Sequence, residues 1–104
     1  MYEYLLPVGS VVLLKDSKKK LMICGRIQAK EGDDRIYDYS ACFYPEGMVS
    51  NASLYFFDHS VIDRVYFIGF QDIEEIVFKN EFLCRLGELE IIDGQIVPKK
   101  GEEK

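Results

Sequence analysis

Leu54-Tyr55-Phe56-Phe57-Asp58-His59-Ser60-Val61-Ile62-Asp63-Arg64-Val65-Tyr66-Phe67-Ile68-Gly69-Phe70 sets two apolar, aromatic-rich runs on either side of one polar elbow. Residues 55–57 and 65–70 are β-branched or aromatic and short enough to be strands. Their apolar density marks this stretch as the densest piece of core. Asp58, His59 and Ser60 break the runs, and Asp58 or Ser60 would cap a single helical turn through Val61, Ile62 and Asp63 before the chain extends again.

Outward toward the N-terminus, Ile36-Tyr37-Asp38-Tyr39-Ser40-Ala41-Cys42-Phe43-Tyr44 partly alternates, with Tyr37, Tyr39 and Ala41 on one parity, as a strand with one wet face would. Pro45-Glu46-Gly47 ends it, and residues 48–53 form a loop. Leu21-Met22-Ile23-Cys24-Gly25-Arg26-Ile27 is another strand, in which Gly25 marks a bulge or a close backbone approach. Across the polar turn Asp16-Ser17-Lys18-Lys19-Lys20 it makes a hairpin with Val11-Val12-Leu13-Leu14-Lys15, whose continuous apolar run suits a strand covered on both faces.

Outward in the other direction, residues 71–86 read as a helix, with Asp72 as N-cap, Glu75 completing a capping box of Asp type and Gly87 as the stop. At about 100° per residue, Ile73, Ile76, Val77, Leu83 and Cys84 share one face, while Phe78, Phe82 and Leu86 fall nearly opposite. That second stripe needs a partner. Either Asn80 kinks the helix or both faces are covered within the domain, or else Phe78, Phe82 and Leu86 dock another protein. Asp93-Gly94 signals a two-residue hairpin turn. Residues 1–97 then form a single globular domain, and residues 98–104 a disordered charged tail. Four or five short strands followed by a helix predict an α+β, mostly β class: a small bent antiparallel sheet or SH3-like, partly open barrel with one C-terminal helix.

A chain of 104 residues buries roughly two-thirds of its unfolded surface, enough for a core without disulfides. Cys24, Cys42 and Cys84 are odd in number, widely spaced and flanked by apolar residues, which predicts buried thiols in a reducing compartment and a cytoplasmic protein. No basic flank precedes an apolar run at the N-terminus, and no stretch reaches the roughly 18 apolar residues of a membrane span, so no leader and no membrane are expected. The net charge of −5 argues against general affinity for nucleic acid or anionic lipid.

His59 is the only histidine and the cysteines lack a Cys-x-x-Cys pair, so neither metal nor cofactor is expected. A nucleophilic cysteine with His59 as base and Asp58 or Asp63 as orienter satisfies the logic of thiolate activation. Buried cysteines are usually inert, however, and Asp58 and His59 read better as elbow residues, the imidazole bonding backbone or carboxylate. No catalytic residue is assigned. The many carboxylates, among them Asp33, Asp38, Glu46, Asp63 and Glu74, read as a solvated acidic face. Lys15, Lys18, Lys19, Lys20 and Arg26 beside Tyr37 and Tyr39 would suit single-stranded nucleic acid. The negative total favours a soluble turn whose lysines discourage edge pairing. Asn51-Ala52-Ser53 matches a glycosylation acceptor that is idle without a leader.

Several blocks recur in order: Leu6-Pro7-Val8-Gly9-Ser10-Val11-Val12-Leu13-Leu14-Lys15, Lys19-Lys20-Leu21-Met22-Ile23-Cys24-Gly25-Arg26, Tyr37-Asp38-Tyr39, Tyr44-Pro45-Glu46-Gly47, Tyr55-Phe56-Phe57-Asp58-His59, Ile62-Asp63 and Val65-Tyr66-Phe67-Ile68-Gly69-Phe70. Together, over residues 6–86, they resemble the domain-of-unknown-function family four-one-seven-six. The resemblance implies small cytosolic proteins of Gram-positive bacteria, encoded beside type VII secretion genes, their small helical partners and LXG-type toxins. It implies no catalytic residues. It points to a non-enzymatic accessory, adaptor or chaperone-like protein that binds a secretion effector or its targeting partner. An RNA-binding or RNA-cleaving small barrel and an immunity protein against a toxin are the alternatives.

Overall fold

The computed structural model describes residues 1–50 and 53–99. In chain order the strands are β1 (Val11–Leu14), β2 (Leu21–Ala29), β3 (Ile36–Phe43), β4 (Tyr55–Phe57) and β5 (Ile62–Phe67). There follow helix α1 (Ile73–Phe78), a π-helical turn Lys79–Leu83, and the strands β6 (Leu89–Ile92) and β7 (Gln95–Pro98). The first five strands make one antiparallel sheet in the order β4-β3-β2-β1-β5, and β6 and β7 pair separately. The protein is thus mostly β with one C-terminal helix, and its five-stranded sheet is open rather than a closed barrel.

The N-terminal readings hold well. Gly25 marks the expected bulge, the β2–β3 register shifting between Ile23 and Gly25, but what comes close to it is side chain rather than backbone: a Cβ there would lie 2.8 Å from the Gln28 side chain and 2.9 Å from Ser40 Oγ. Tyr39 and Ala41, on the shared parity, are fully buried and join Leu5, Val12, Leu21, Ile23 and Phe57 in the core. Packing of these side chains is what drives the sheet together.

The organising stretch departs from its reading as densest core. Only Phe57 and Gly69 within it are buried, while Val65, Tyr66, Phe67, Ile68 and Phe70 are exposed, Phe70 at 79%. Its second strand starts earlier than the apolar run, directly after a 3₁₀ turn at His59–Val61, and pairs only with β1. An edge strand without a covering layer leaves both of its faces in solvent. Cys24 and Cys84 also depart from expectation, being exposed; Cys42 alone is buried. Gly69 is decided by the backbone it crosses: a Cβ would lie 2.2 Å from the Val8 carbonyl oxygen. Its N–H donates to Ser10 Oγ at 2.9 Å, and Ser10 Oγ donates to the Pro7 carbonyl at 2.8 Å.

At the C-terminal hairpin, Asp93 (φ 53°) and Gly94 (φ 78°) supply the two left-handed residues that the Asp-Gly signal requires. Pro98 closes β7, and Lys99 N–H donates to the Glu88 carbonyl at 2.9 Å. The remainder of the expected tail, residues 100–104, lies outside the described residues, as do Asn51 and Ala52.

Candidate protein-docking site

Helix α1 begins as its sequence directs, with Asp72 Oδ1 accepting from Glu75 N–H at 3.1 Å. The reciprocal half of the capping box is replaced. The Glu75 carboxylate accepts both Arg26 guanidinium N–H groups, at 2.7 and 2.9 Å, and the two side chains retain only 11% and 10% exposure. Arg26 also lies over the Phe78 ring, 5.1 Å from its centroid. A bidentate, largely desolvated pair with a stacked ring is directional enough to fix α1 against β2. Ile27, next to Arg26 in β2, has φ 56°, a left-handed conformation that costs a β-branched residue on the order of 1–3 kcal/mol.

A uniform helix over residues 71–86 is not what forms. After Phe78 the chain widens, and Cys84 N–H donates to the Lys79 carbonyl at 2.9 Å, closing a π turn that contains Asn80. The extra residue in that turn rotates what lies beyond it, and the first stripe does not continue through. On the first, Leu83 is buried while Ile73, at 76%, Ile76 and Val77 are exposed. On the second, Phe78 and Phe82 stack at 5.0 Å with an interplanar angle of 22°, both partly exposed, and Leu86 is half-buried.

Phe78, Phe82 and Leu86 line an apolar cleft of about 540 Å³ together with Ile27 and the hairpin residues Leu89 and Ile96. Arg26, already neutralised by Glu75, also lines it. Outside the cleft, exposed apolar side chains follow along the chain from Val65 through Phe70 and Ile73 to Val77. Such a surface can desolvate an apolar stripe on another chain, and the outer edge of β5 can add a strand.

The other constellations dissolve into structural bonds. His59 Nδ1 shares a 2.7 Å hydrogen bond with the buried Tyr39 hydroxyl, which also accepts from Leu6 N–H at 2.9 Å. The imidazole therefore bonds a phenol, where backbone or carboxylate was expected. Burial pushes the Tyr39 phenol up to about 12. The Asp38 carboxylate accepts from His59 N–H at 2.9 Å and Tyr4 O–H at 3.1 Å, and Asp58 accepts from Asp38 N–H at 3.1 Å and from Arg35. Cys24 and Cys42 face each other rather than His59, with their sulfurs 3.4 Å apart. The basic edge is broken up as well: Arg26 is held by Glu75, Lys19 by Glu46, and Tyr39 is inside. Among the described residues, no group of three or more His, Cys, Asp and Glu is placed to hold a metal ion, and no helix is long and apolar enough to cross a membrane.

Sequence reasoning missed Arg26–Glu75, Tyr39–His59 and Cys24–Cys42. The capping-box spacing did flag Glu75, but nothing in the chain names a partner 49 positions away.

The chain belongs to the family described as Domain of unknown function (DUF4176), whose model matches residues 5–78. That span covers the five-stranded sheet and α1 and stops before the π turn and the hairpin. No curated protein and no solved structure matches the chain.

Proposed function

Taking membership of this family as the premise, we propose that the protein is a non-enzymatic, chaperone-like adaptor that binds a type VII secretion effector or its small helical targeting partner in the cytoplasm. The observation that carries this is the apolar surface along β5, α1 and the cleft beneath Phe78 and Phe82. Exposed apolar surface on a folded domain marks interaction sites, and a groove of this kind suits the apolar stripe of an amphipathic helix. The secretion setting comes from the family resemblance.

Co-expression with the neighbouring LXG-type effector, divided into its N-terminal secretion region and its C-terminal toxin domain, tests the proposal by pull-down and light scattering. Co-elution with the secretion region supports the adaptor. Co-elution with the toxin domain means immunity, and elution alone returns the question to RNA. Replacing Phe78 and Phe82 together by Ser abolishes partner capture while the domain stays folded; if the domain unfolds instead, that stripe is core.

A further inference from the structure

Cys42 alternates with Ala41 along β3 and so points to the sheet face opposite the core cluster, where it is 1% exposed. Cys24 lies in the β2 bulge, between Ile23 and Gly25, with no residue paired across from it. Met22 lies opposite Cys42, and an uninterrupted register would pair Cys24 with Ser40; the bulge gives Ser40 to Gly25 instead, and the Cys24 sulfur lies 3.4 Å from Cys42 Sγ. Both thiols also approach the Met22 carbonyl oxygen, at 3.5 and 3.9 Å. One thiol is exposed and the other is buried directly behind it. A disulfide bond of about 2.0 Å needs only a small further approach of the two sulfurs.

We propose that Cys24 and Cys42 form a redox-active dithiol that closes to a cross-strand disulfide by exchange with a low-molecular-weight disulfide, Cys24 attacking and Cys42 resolving. Deprotonated Cys24 Sγ attacks one sulfur of the external disulfide. The external S–S bond breaks, a mixed disulfide forms on Cys24, and the departing thiolate takes up a proton equivalent to the one Cys24 lost. Deprotonated Cys42 Sγ then attacks Cys24 Sγ and expels the second external thiolate, which is protonated in turn. Two protein thiols are oxidised to one disulfide, and the external disulfide is reduced to two thiols. Burial, and then the hydrogen bond with Cys42, hold the Cys24 thiol up at about 11, so at neutral pH the reduced pair persists and exchange is slow. The link would tie β2 to β3 across the bulge that precedes Arg26, away from the apolar cleft.

The test uses the full chain with oxidised glutathione at mildly alkaline pH, followed by alkylation under denaturing conditions and peptide mass mapping. The expected product joins the Cys24 and Cys42 peptides, with Cys84 outside the link. In Cys42→Ser the reaction stops at glutathione on Cys24, and in Cys24→Ser, an exposed position, Cys42 stays unmodified in the folded chain. Three results in the unmodified chain overturn the proposal: a mixed disulfide that persists on Cys24 beside an alkylated Cys42, a link through Cys84, or glutathione on Cys84 alone.

Discussion

β3 and β5 are both short strands rich in β-branched and aromatic residues, yet Tyr39, Ala41 and Cys42 of β3 are buried whereas Val65, Tyr66 and Phe67 of β5 are exposed. β3 lies between β2 and β4 and is hydrogen-bonded on both sides; β5 is an edge, bonded to β1 alone. The N-terminal segment adds to the difference, since Leu5 joins Tyr39 and Ala41 in the core cluster and Leu6 N–H donates to the Tyr39 hydroxyl. Side-chain character is therefore a poor guide to burial when strand order is unknown. Apolar residues on a central strand stabilise the fold, and the same residues on an edge form a surface available to a partner.

Substitutions on the two strands can break this contrast. Ile23→Ala, in the fully buried side of β2, is expected to destabilise the domain by about 2–5 kcal/mol in urea unfolding, since the surrounding core cannot close the cavity completely. A loss similar to that of a surface substitution would mean that the core is not where the packing places it.

A smaller effect, about 1–3 kcal/mol, is expected for Tyr39→Phe, which removes the partner of both Leu6 N–H and His59 Nδ1. The same phenol sharpens the contrast through pH. Its folded value, pushed up to about 12 by burial, lies above the ordinary 10.0, so the folded state favours the protonated form. Its contribution to stability is complete below about pH 10 and is lost as pH rises through about 12. Tyr4, also raised to about 12, by burial and then by Asp38, acts in the same direction. Unfolding midpoints measured against pH should fall on the alkaline side, and less steeply in Tyr39→Phe.

The smallest effect belongs to the exposed side. Phe70→Ser and Ile73→Ser are expected to change stability by no more than about 0.5 kcal/mol each, because both side chains are already in water. A loss of several times that amount, in the isolated chain at low concentration, would show that this surface is covered.

Much of the architecture was legible in the residues. Period-two alternation placed β3, Gly25 marked the bulge, Asp72 capped α1 and Asp93-Gly94 made the hairpin turn, because each of these is a short-range steric or hydrogen-bonding requirement. The candidate site was only half legible. Phe78 and Phe82 stood out as surplus to one helical face, but the π turn that stacks them and turns Leu83 inward follows from packing rather than from spacing.

The order of apolar runs and turns in this chain determines a mostly β domain with one helix and many of its element boundaries, since backbone sterics and local hydrogen bonds act over a few residues. Tertiary structure alone decides that β5 is an edge, that Glu75 answers Arg26 instead of its own helix start, and that the Cys24 and Cys42 sulfurs meet at 3.4 Å. Burial, ion pairing and thiol contact depend on which distant segment arrives on the other side, and that is set by competition among long-range contacts across the whole chain.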